Sequence, residues 1–140
     1  MLWYPIILVA ALTGMSLGSE MAQRAAPPSP LTCDRNHLTS FTGRVVSYRR
    51  QMGQMGQKGQ NGRITLRVHT DDATTEDFSI RLGASEDGSK HFLMRGQPFK
   101  PSDWTLVEAT RTRLRPKMRA IVWVCDDGSA PVIDWRPFEP

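Results

Sequence analysis

The chain contains little cysteine, and after residue 18 it has none of the spacings that mark common catalytic sites. Its two cysteines, Cys33 and Cys125, are too far apart to form a Cys-x-x-Cys redox motif. The residues after the N-terminal 18 include no Gly-x-Ser-x-Gly nucleophile elbow. The three histidines are scattered, without the close spacing of zinc ligands. These absences argue against an enzyme, and we expect no cofactor.

Charged residues are also missing from the start of the chain. The stretch from Leu2 to Leu17 is apolar, contains no Asp, Glu, Lys or Arg, and runs into small residues. This pattern predicts a signal peptide over residues 1–18, cleaved to give a secreted or periplasmic protein without a stable membrane span. Because no basic residue follows Met1, an uncleaved membrane anchor is the alternative, although about 16 apolar residues are short for a span.

Export predicts the state of the cysteines. In an oxidising compartment a lone pair is more often bridged than free, so we expect a Cys33–Cys125 disulfide. It would close a loop of roughly 90 residues and stabilise the fold by at most about 4 to 5 kcal/mol. Residues 19–32 are rich in Ala, Pro and Ser and are predicted to be a disordered linker. Residues 33–140 then form one domain.

The composition indicates a basic protein. The formal net charge is +4 and the pI is about 9.5, and the leader contributes no charge. A basic exported domain attracts phosphate-bearing glycans, nucleic acid or acidic protein surfaces. The alternative is that the charge only keeps a small domain soluble.

Five segments have the alternation or the β-branched and aromatic content of strands: residues 41–50, 63–70, 78–82, 118–125 and 132–135. A glycine-rich repeat, 51–62, is predicted to be a flexible loop between the first two. Gly43 is placed where a long strand could bend or bulge. Trp104, Val107, Arg111 and Leu114 fall at helical intervals and predict a short helix, with a strand as the alternative.

This order of elements resembles the OB-fold, a five-stranded, partly open barrel. The resemblance covers about Leu38 to Phe138 and implies a mainly β fold, a β-barrel with one short helix between the third and fourth strands. A small α+β sandwich is the alternative. In OB-folds, ligands meet the face of the second and third strands and the adjoining loops.

That expectation selects a set of basic and aromatic candidate ligand-binding residues: Tyr48, Arg50, Lys58, Arg67, His69, Arg81 and Trp123. We expect Arg67 and Arg81 to lie on one surface near Tyr48. Arginine beside aromatic rings suits stacking on sugars or bases with charge on phosphate. The alternative is that the arginines are ordinary solvated strand positions and Trp123 is a core residue.

These observations lead to three hypotheses. The leading one is a non-enzymatic module that binds an anionic or polymeric partner, such as a glycan, a phosphate-bearing polymer or nucleic acid. The second is a cell-envelope assembly component that binds another protein through a strand edge. The third is copper carriage by Met52 and Met55, because thioethers suit Cu(I) and the layout resembles small periplasmic copper carriers with an OB-like barrel. No His or Trp stands beside these methionines in the expected strand.

Overall fold

The computed structural model describes residues 31–53 and 61–139. The predicted signal peptide, all but the last two linker residues, and Met55 and Lys58 of the glycine-rich loop lie outside these residues.

The described residues are mainly β, as the sequence predicts. The strands are β1 (Leu38–Gln51), β2 (Gly62–Thr70), β3 (Thr75–Leu82), β4 (Phe92–Met94), β5 (Gln97–Pro98), β6 (Glu108–Thr110), β7 (Arg113–Leu114), β8 (Arg119–Cys125) and β9 (Val132–Arg136). One short helix, α1, spans Trp104–Val107, and 3-10 turns cover Arg35–His37, Ser89–His91 and Pro101–Asp103. All five predicted strands are present, and α1 lies between the third and fourth of them.

The strands form one large mixed sheet and a small hairpin. The large sheet has seven strands in the order β3-β2-β1-β8-β9-β4-β5, and β6 pairs with β7 separately. Neighbours are antiparallel except β4 and β9, which run parallel. Within the two described ranges, no pairing joins β3 to β5, so the sheet is not closed into a barrel by hydrogen bonds.

The inner face of this sheet carries the hydrophobic core. On β2, Ile64, Leu66 and Val68 are buried, while the residues between them are exposed or half-buried, so the predicted alternation is present. Val122 of β8 and Trp135 of β9 are fully buried in the same cluster. Burial of this sheet face therefore contributes hydrophobic stabilisation to the fold.

A β-bulge in β1 changes which of its residues face the core. Val45 is opposite Val68, and Ser47 is opposite Arg67, so Val46 is an extra residue and is 47% exposed. One extra residue reverses the alternation that follows it. Tyr48 consequently lies on the core side, opposite Leu66.

Gly43 is not the bulge residue. It pairs with Thr70 on one side and Ala120 on the other. A Cβ atom there would lie 2.1 Å from the carbonyl oxygen of His69. Gly43 therefore permits close approach of the β2 backbone rather than a bend.

The helix is shorter than its predicted spacing implies. α1 ends at Val107, and the chain from Glu108 forms β6, a tight turn and β7. Thr112, within that turn, has a φ of 67°, which no helix contains. The strand alternative therefore applies to the second half of the segment.

The predicted disulfide is present. Cys33 and Cys125 are bonded, with their Cα atoms 6.0 Å apart. Leu38 is paired with Cys125, and the amide of Asp126 donates to the carbonyl of His37 over 3.0 Å. The bridge thus fixes the segment before β1 to the end of β8.

Candidate functional site

The outer face of β1, β2 and β3 is polar and basic. It is lined by the residues that alternate away from the core: Arg44, Ser47, Arg49 and Gln51 on β1, Arg63, Thr65, Arg67 and His69 on β2, and Thr75, Asp77, Ser79 and Arg81 on β3. We call this surface the outer arginine face. The sequence predicted Arg67, His69 and Arg81 for such a surface, and all three lie on it.

One end of the outer arginine face holds concentrated, uncompensated charge. Arg63 on β2 lies directly opposite Arg81 on β3. Arg49 on β1 lies opposite Thr65, which is two residues after Arg63 on β2. None of these three arginines has an ion-pair or hydrogen-bond partner for its guanidinium group among residues 31–53 and 61–139. Like charges directly opposite each other on a sheet are destabilising. This end of the sheet therefore attracts anions.

Arg67, four residues further along β2 than Arg63, is compensated by an acidic neighbour on β3. Arg67 Nε donates to Asp77 Oδ1 over 2.7 Å, and Nη2 donates to Oδ2 over 3.2 Å. A hydrogen bond and the negative charge of Asp77 raise the pKa of Arg67, and the same contacts lower the pKa of Asp77. Arg67 is therefore less free to bind an external anion than Arg63 or Arg81.

Arg63 and Arg49 are not among the candidate ligand-binding residues that the sequence predicts. The alternation of β2 predicts the side of Arg63, because a residue four positions before Arg67 in a strand lies on the same face as Arg67. Nothing in the sequence signals Arg49 in the same way, because the bulge decides its direction.

Tyr48 faces the core, so the expectation that Arg67 and Arg81 lie on one surface near it is wrong, and Arg50 is also turned inward. Arg50 Nε donates to Glu108 Oε2 over 2.9 Å and Nη2 to Oε1 over 2.7 Å. Tyr48 Oη donates to the same Oε2 over 2.6 Å. The Arg50 and Glu108 side chains are only 7% and 6% exposed. These groups form an internal polar cluster beneath the sheet.

The cluster fixes the charges of its members. Burial raises the pKa of Glu108, but hydrogen bonds from Arg50 and Tyr48 outweigh it, so the pKa lies below its ordinary value. The hydrogen bond to Glu108 raises the pKa of Arg50. Burial and then the bond to Glu108 raise the pKa of Tyr48 far above the physiological range. A neutral tyrosine, an arginine cation and a carboxylate anion thus form a hydrogen-bonded triad that joins β1 to β6.

An open hollow of about 450 Å³ adjoins the cluster, and Met52, Asp87, Trp104 and Arg111 are among its lining residues. The Arg50 guanidinium lies 4.3 Å from the centroid of the Trp104 ring, and its Nη1 donates to Met52 Sδ over 3.1 Å. The thioether of Met52 is therefore engaged by a cation, which disfavours Cu(I) at the same sulfur. Among the described residues, no group of three His, Cys, Asp or Glu side chains is placed to hold a metal ion.

Trp123 lies on the same side of the sheet as Arg44, because its β1 partner Ser40 is on the same face of that strand as Arg44, but it is outside the three strands that form the outer arginine face. It is on β8, opposite Ser40 of β1 and Val132 of β9, and is half-buried. Its indole Nε1 is buried and has no hydrogen-bond partner within the described ranges. It is not among the side chains of the core cluster, and its role in stacking stays a prediction.

Comparison with known proteins finds no matching family model, no similar curated protein and no similar solved structure. In the part of the chain that the structure describes, no helix is long and apolar enough to cross a membrane.

Proposed function

We propose that this protein is an exported, non-enzymatic module with an OB-like fold that binds an anionic polymer on its outer arginine face. The observation that carries the proposal is the end of that face where Arg49, Arg63 and Arg81 have no carboxylate partner among the described residues. Like charges directly opposite each other on a sheet lower the stability of the folded domain. Proteins often have such destabilising arrangements at functional sites, where activity requires them.

The strand order supports the OB-like part of the proposal. The four long strands lie in the order β8-β1-β2-β3, so the fourth returns by a long connection to lie beside the first, as in a Greek key. The fifth, β9, adds beside β8, and α1 lies in the long connection. An OB-fold is a five-stranded, partly open Greek-key barrel that binds polymers on the face of strands 2 and 3. The outer arginine face spans those two strands.

The disulfide supports export. Cys33 and Cys125 are bonded, and such bonds persist in secreted and periplasmic proteins but are rare in the cytosol of most organisms. Together with the apolar leader, this supports export, and cleavage of the leader is part of the proposal. The mass of the exported protein tests this point: an N-terminus between Gly18 and Pro27 is expected, and retention of Met1 in a membrane fraction would contradict it.

Binding of the purified, oxidised protein to heparin, to oligothymidylate and to polyglutamate tests the binding proposal. We expect binding to at least one of them, with an association constant that falls steeply as salt rises, because bound arginines release counterions from the polymer. A neutral polymer, dextran, is the matched control and should not bind. Absence of binding to all three polyanions at low salt would refute the proposal.

A second candidate function is docking of another envelope protein by strand addition. β3 is an edge strand of eight residues, Thr75–Leu82, with β2 as its one neighbour in the described sheet. Exposed edges are templates for an added strand. A partner that co-purifies with the wild type but not with a variant carrying proline at Ser79 would favour this candidate over polyanion binding.

A further inference from the structure

We propose that Arg49, Arg63 and Arg81 bind the phosphodiester groups of a linear polymer through backbone charge alone, without contact to rings or bases. This inference rests on the proposed function and assigns to it both a set of residues and a ligand chemistry.

The first support is the position of the three guanidinium groups. They come from three adjacent strands, which lie about 4.8 Å apart in a sheet. Arg63 and Arg81 are a directly opposed pair, and Arg49, opposite Thr65, lies diagonally from Arg63 on β1, so the three cations form an oblique row. A row of cations across the strands suits a chain of evenly repeated anions laid across the sheet. A phosphate between Arg63 and Arg81 would also remove their mutual repulsion.

The second support is the chemistry around the row. Its cations are all arginines, whose planar forks match phosphate oxygens in two-point contacts better than lysine does. Between them the same face presents hydroxyl groups of Ser47, Thr65 and Ser79, which make no side-chain hydrogen bond among the described residues. Arginine and hydroxyl groups are the usual contacts to the phosphates of a polymer backbone.

The third support is the lack of a stacking platform. Among the described residues of the outer arginine face there is no Phe, Tyr or Trp. Tyr48 and Phe78 pack against the core instead, and Phe78 stays half-buried where it also lines a hollow beside Arg63 and Arg67. Modules that hold single-stranded nucleic acid through its bases stack them on exposed aromatic rings, and sugars can stack in the same way. Recognition here is therefore confined to the charged backbone.

The test compares two fluorescent probes with the same number of phosphodiesters. One is oligothymidylate of twelve units, and the other is a twelve-unit chain of abasic deoxyribose phosphate. We expect the oxidised full-length protein to bind the two with dissociation constants within about twofold of each other, because single-strand binding without stacking depends on charge. Tighter binding of oligothymidylate by fivefold or more would overturn the inference.

A double variant then locates the site. R63T/R81T is expected to weaken binding of the abasic probe by tenfold or more and to reduce the salt slope by about 1.4, since each phosphate contact on a single strand contributes about 0.7. Threonine is chosen because it suits strands. The matched control, R111T/R113T, removes the same charge from exposed residues of the β6–β7 hairpin and should retain most of the affinity.

The R63K/R81K variant keeps the charge but loses the forked geometry. It should keep the salt slope and lose affinity by several-fold. Thermal unfolding checks that each variant folds, and R63T/R81T should melt at or above the wild-type temperature because it removes a like-charge pair. A lower melting temperature together with normal binding would mean that the pair is structural, against the inference.

The outcomes separate the two proposals. If the wild type binds the polyanions but R63T/R81T binds as well as R111T/R113T, this inference fails and the proposed function stands. If heparin binds more tightly than the abasic probe at equal charge, the phosphodiester assignment fails and polyanion binding stands. If the wild type binds none of the polyanions, the proposed function itself fails.

Discussion

Glu108 accepts two hydrogen bonds from Arg50 in a paired, two-point contact, with Nε–Oε2 at 2.9 Å and Nη2–Oε1 at 2.7 Å. The two residues are 58 positions apart in sequence, one near the end of β1 and the other at the start of β6. The contact therefore joins the hairpin that follows α1 to the main sheet. Tyr48 and the backbone amide of Thr112 also donate to this carboxylate, over 2.6 Å and 3.2 Å.

Replacing Glu108 should cost far more stability than replacing an exposed acid. Glu108→Gln leaves the Arg50 cation buried without its counterion, which typically costs about 3 to 5 kcal/mol of unfolding free energy. The control is Asp77→Asn, which breaks an exposed pair with Arg67 and should cost less than about 1 kcal/mol. Urea unfolding measures both. Equal losses in the two variants would contradict a structural role for Glu108.

The same pair should make the protein sensitive to acid. The folded pKa of Glu108 lies below its ordinary 4.5. A lowered carboxyl pKa contributes stability that is present above the unfolded pKa and is lost as pH falls through the folded pKa. Wild-type stability should therefore fall below about pH 4.5, and Glu108→Gln should flatten that fall. A Glu108→Gln curve parallel to wild type between pH 5 and pH 2 would rule out this contribution.

His37 should titrate above His91. Its Nδ1 donates to Asp126 Oδ2 over 2.7 Å, and that bond and the charge of Asp126 raise the pKa above 6.5. Burial and then the charge of Lys90 lower the pKa of His91. The stability from His37 is complete below pH 6.5 and is lost as pH rises through the raised folded pKa.

An NMR titration of the histidine ring protons checks this order. In Asp126→Asn the pKa of His37 should fall toward 6.5, while that of His91 should not move. Both His37 and Asp126 are more than half exposed, so added salt should reduce the difference in the wild type. A titration of His37 at or below that of His91 would contradict the contact.

Loss of the disulfide should be the largest single-bond effect in the molecule. The C33S/C125S variant should lose up to about 4 to 5 kcal/mol, because the bridge closes a long loop in the unfolded chain. Wild type treated with dithiothreitol is the matched control and should melt at the same temperature as the variant. A wild-type melting temperature that reductant leaves unchanged would show that the bond adds no stability.

Gly43 should not tolerate a methyl group. In Gly43→Ala the new Cβ would meet backbone atoms of His69 and Thr70 within 2.8 Å, and neither strand can move without breaking pairs on β1. We expect a loss of several kcal/mol of unfolding free energy, of the order of severe overpacking. Gly83→Ala is the control, since its Cβ meets only the flexible Glu86 side chain. Similar melting temperatures for the two variants would show that β2 shifts freely.

The strands could be predicted from the sequence because their alternation is local. Ile64, Leu66 and Val68 alternate with polar residues, and any fold that buries one sheet face must put them inside. The helix prediction failed in its second half for the opposite reason. Trp104 and Val107 fit a helix, but Glu108 leaves it to reach Arg50, a partner that no local window contains.

For the candidate site, the sequence by itself determined that β2 and β3 would expose Arg63, Arg67 and Arg81, because alternation fixes sides within an uninterrupted strand. Only the tertiary structure decided the sides of β1. The bulge at Val46 turns Tyr48 and Arg50 inward and Arg49 outward. That reversal depends on how β1 pairs with β2 and on the burial of Arg50 against Glu108, which are contacts between distant segments.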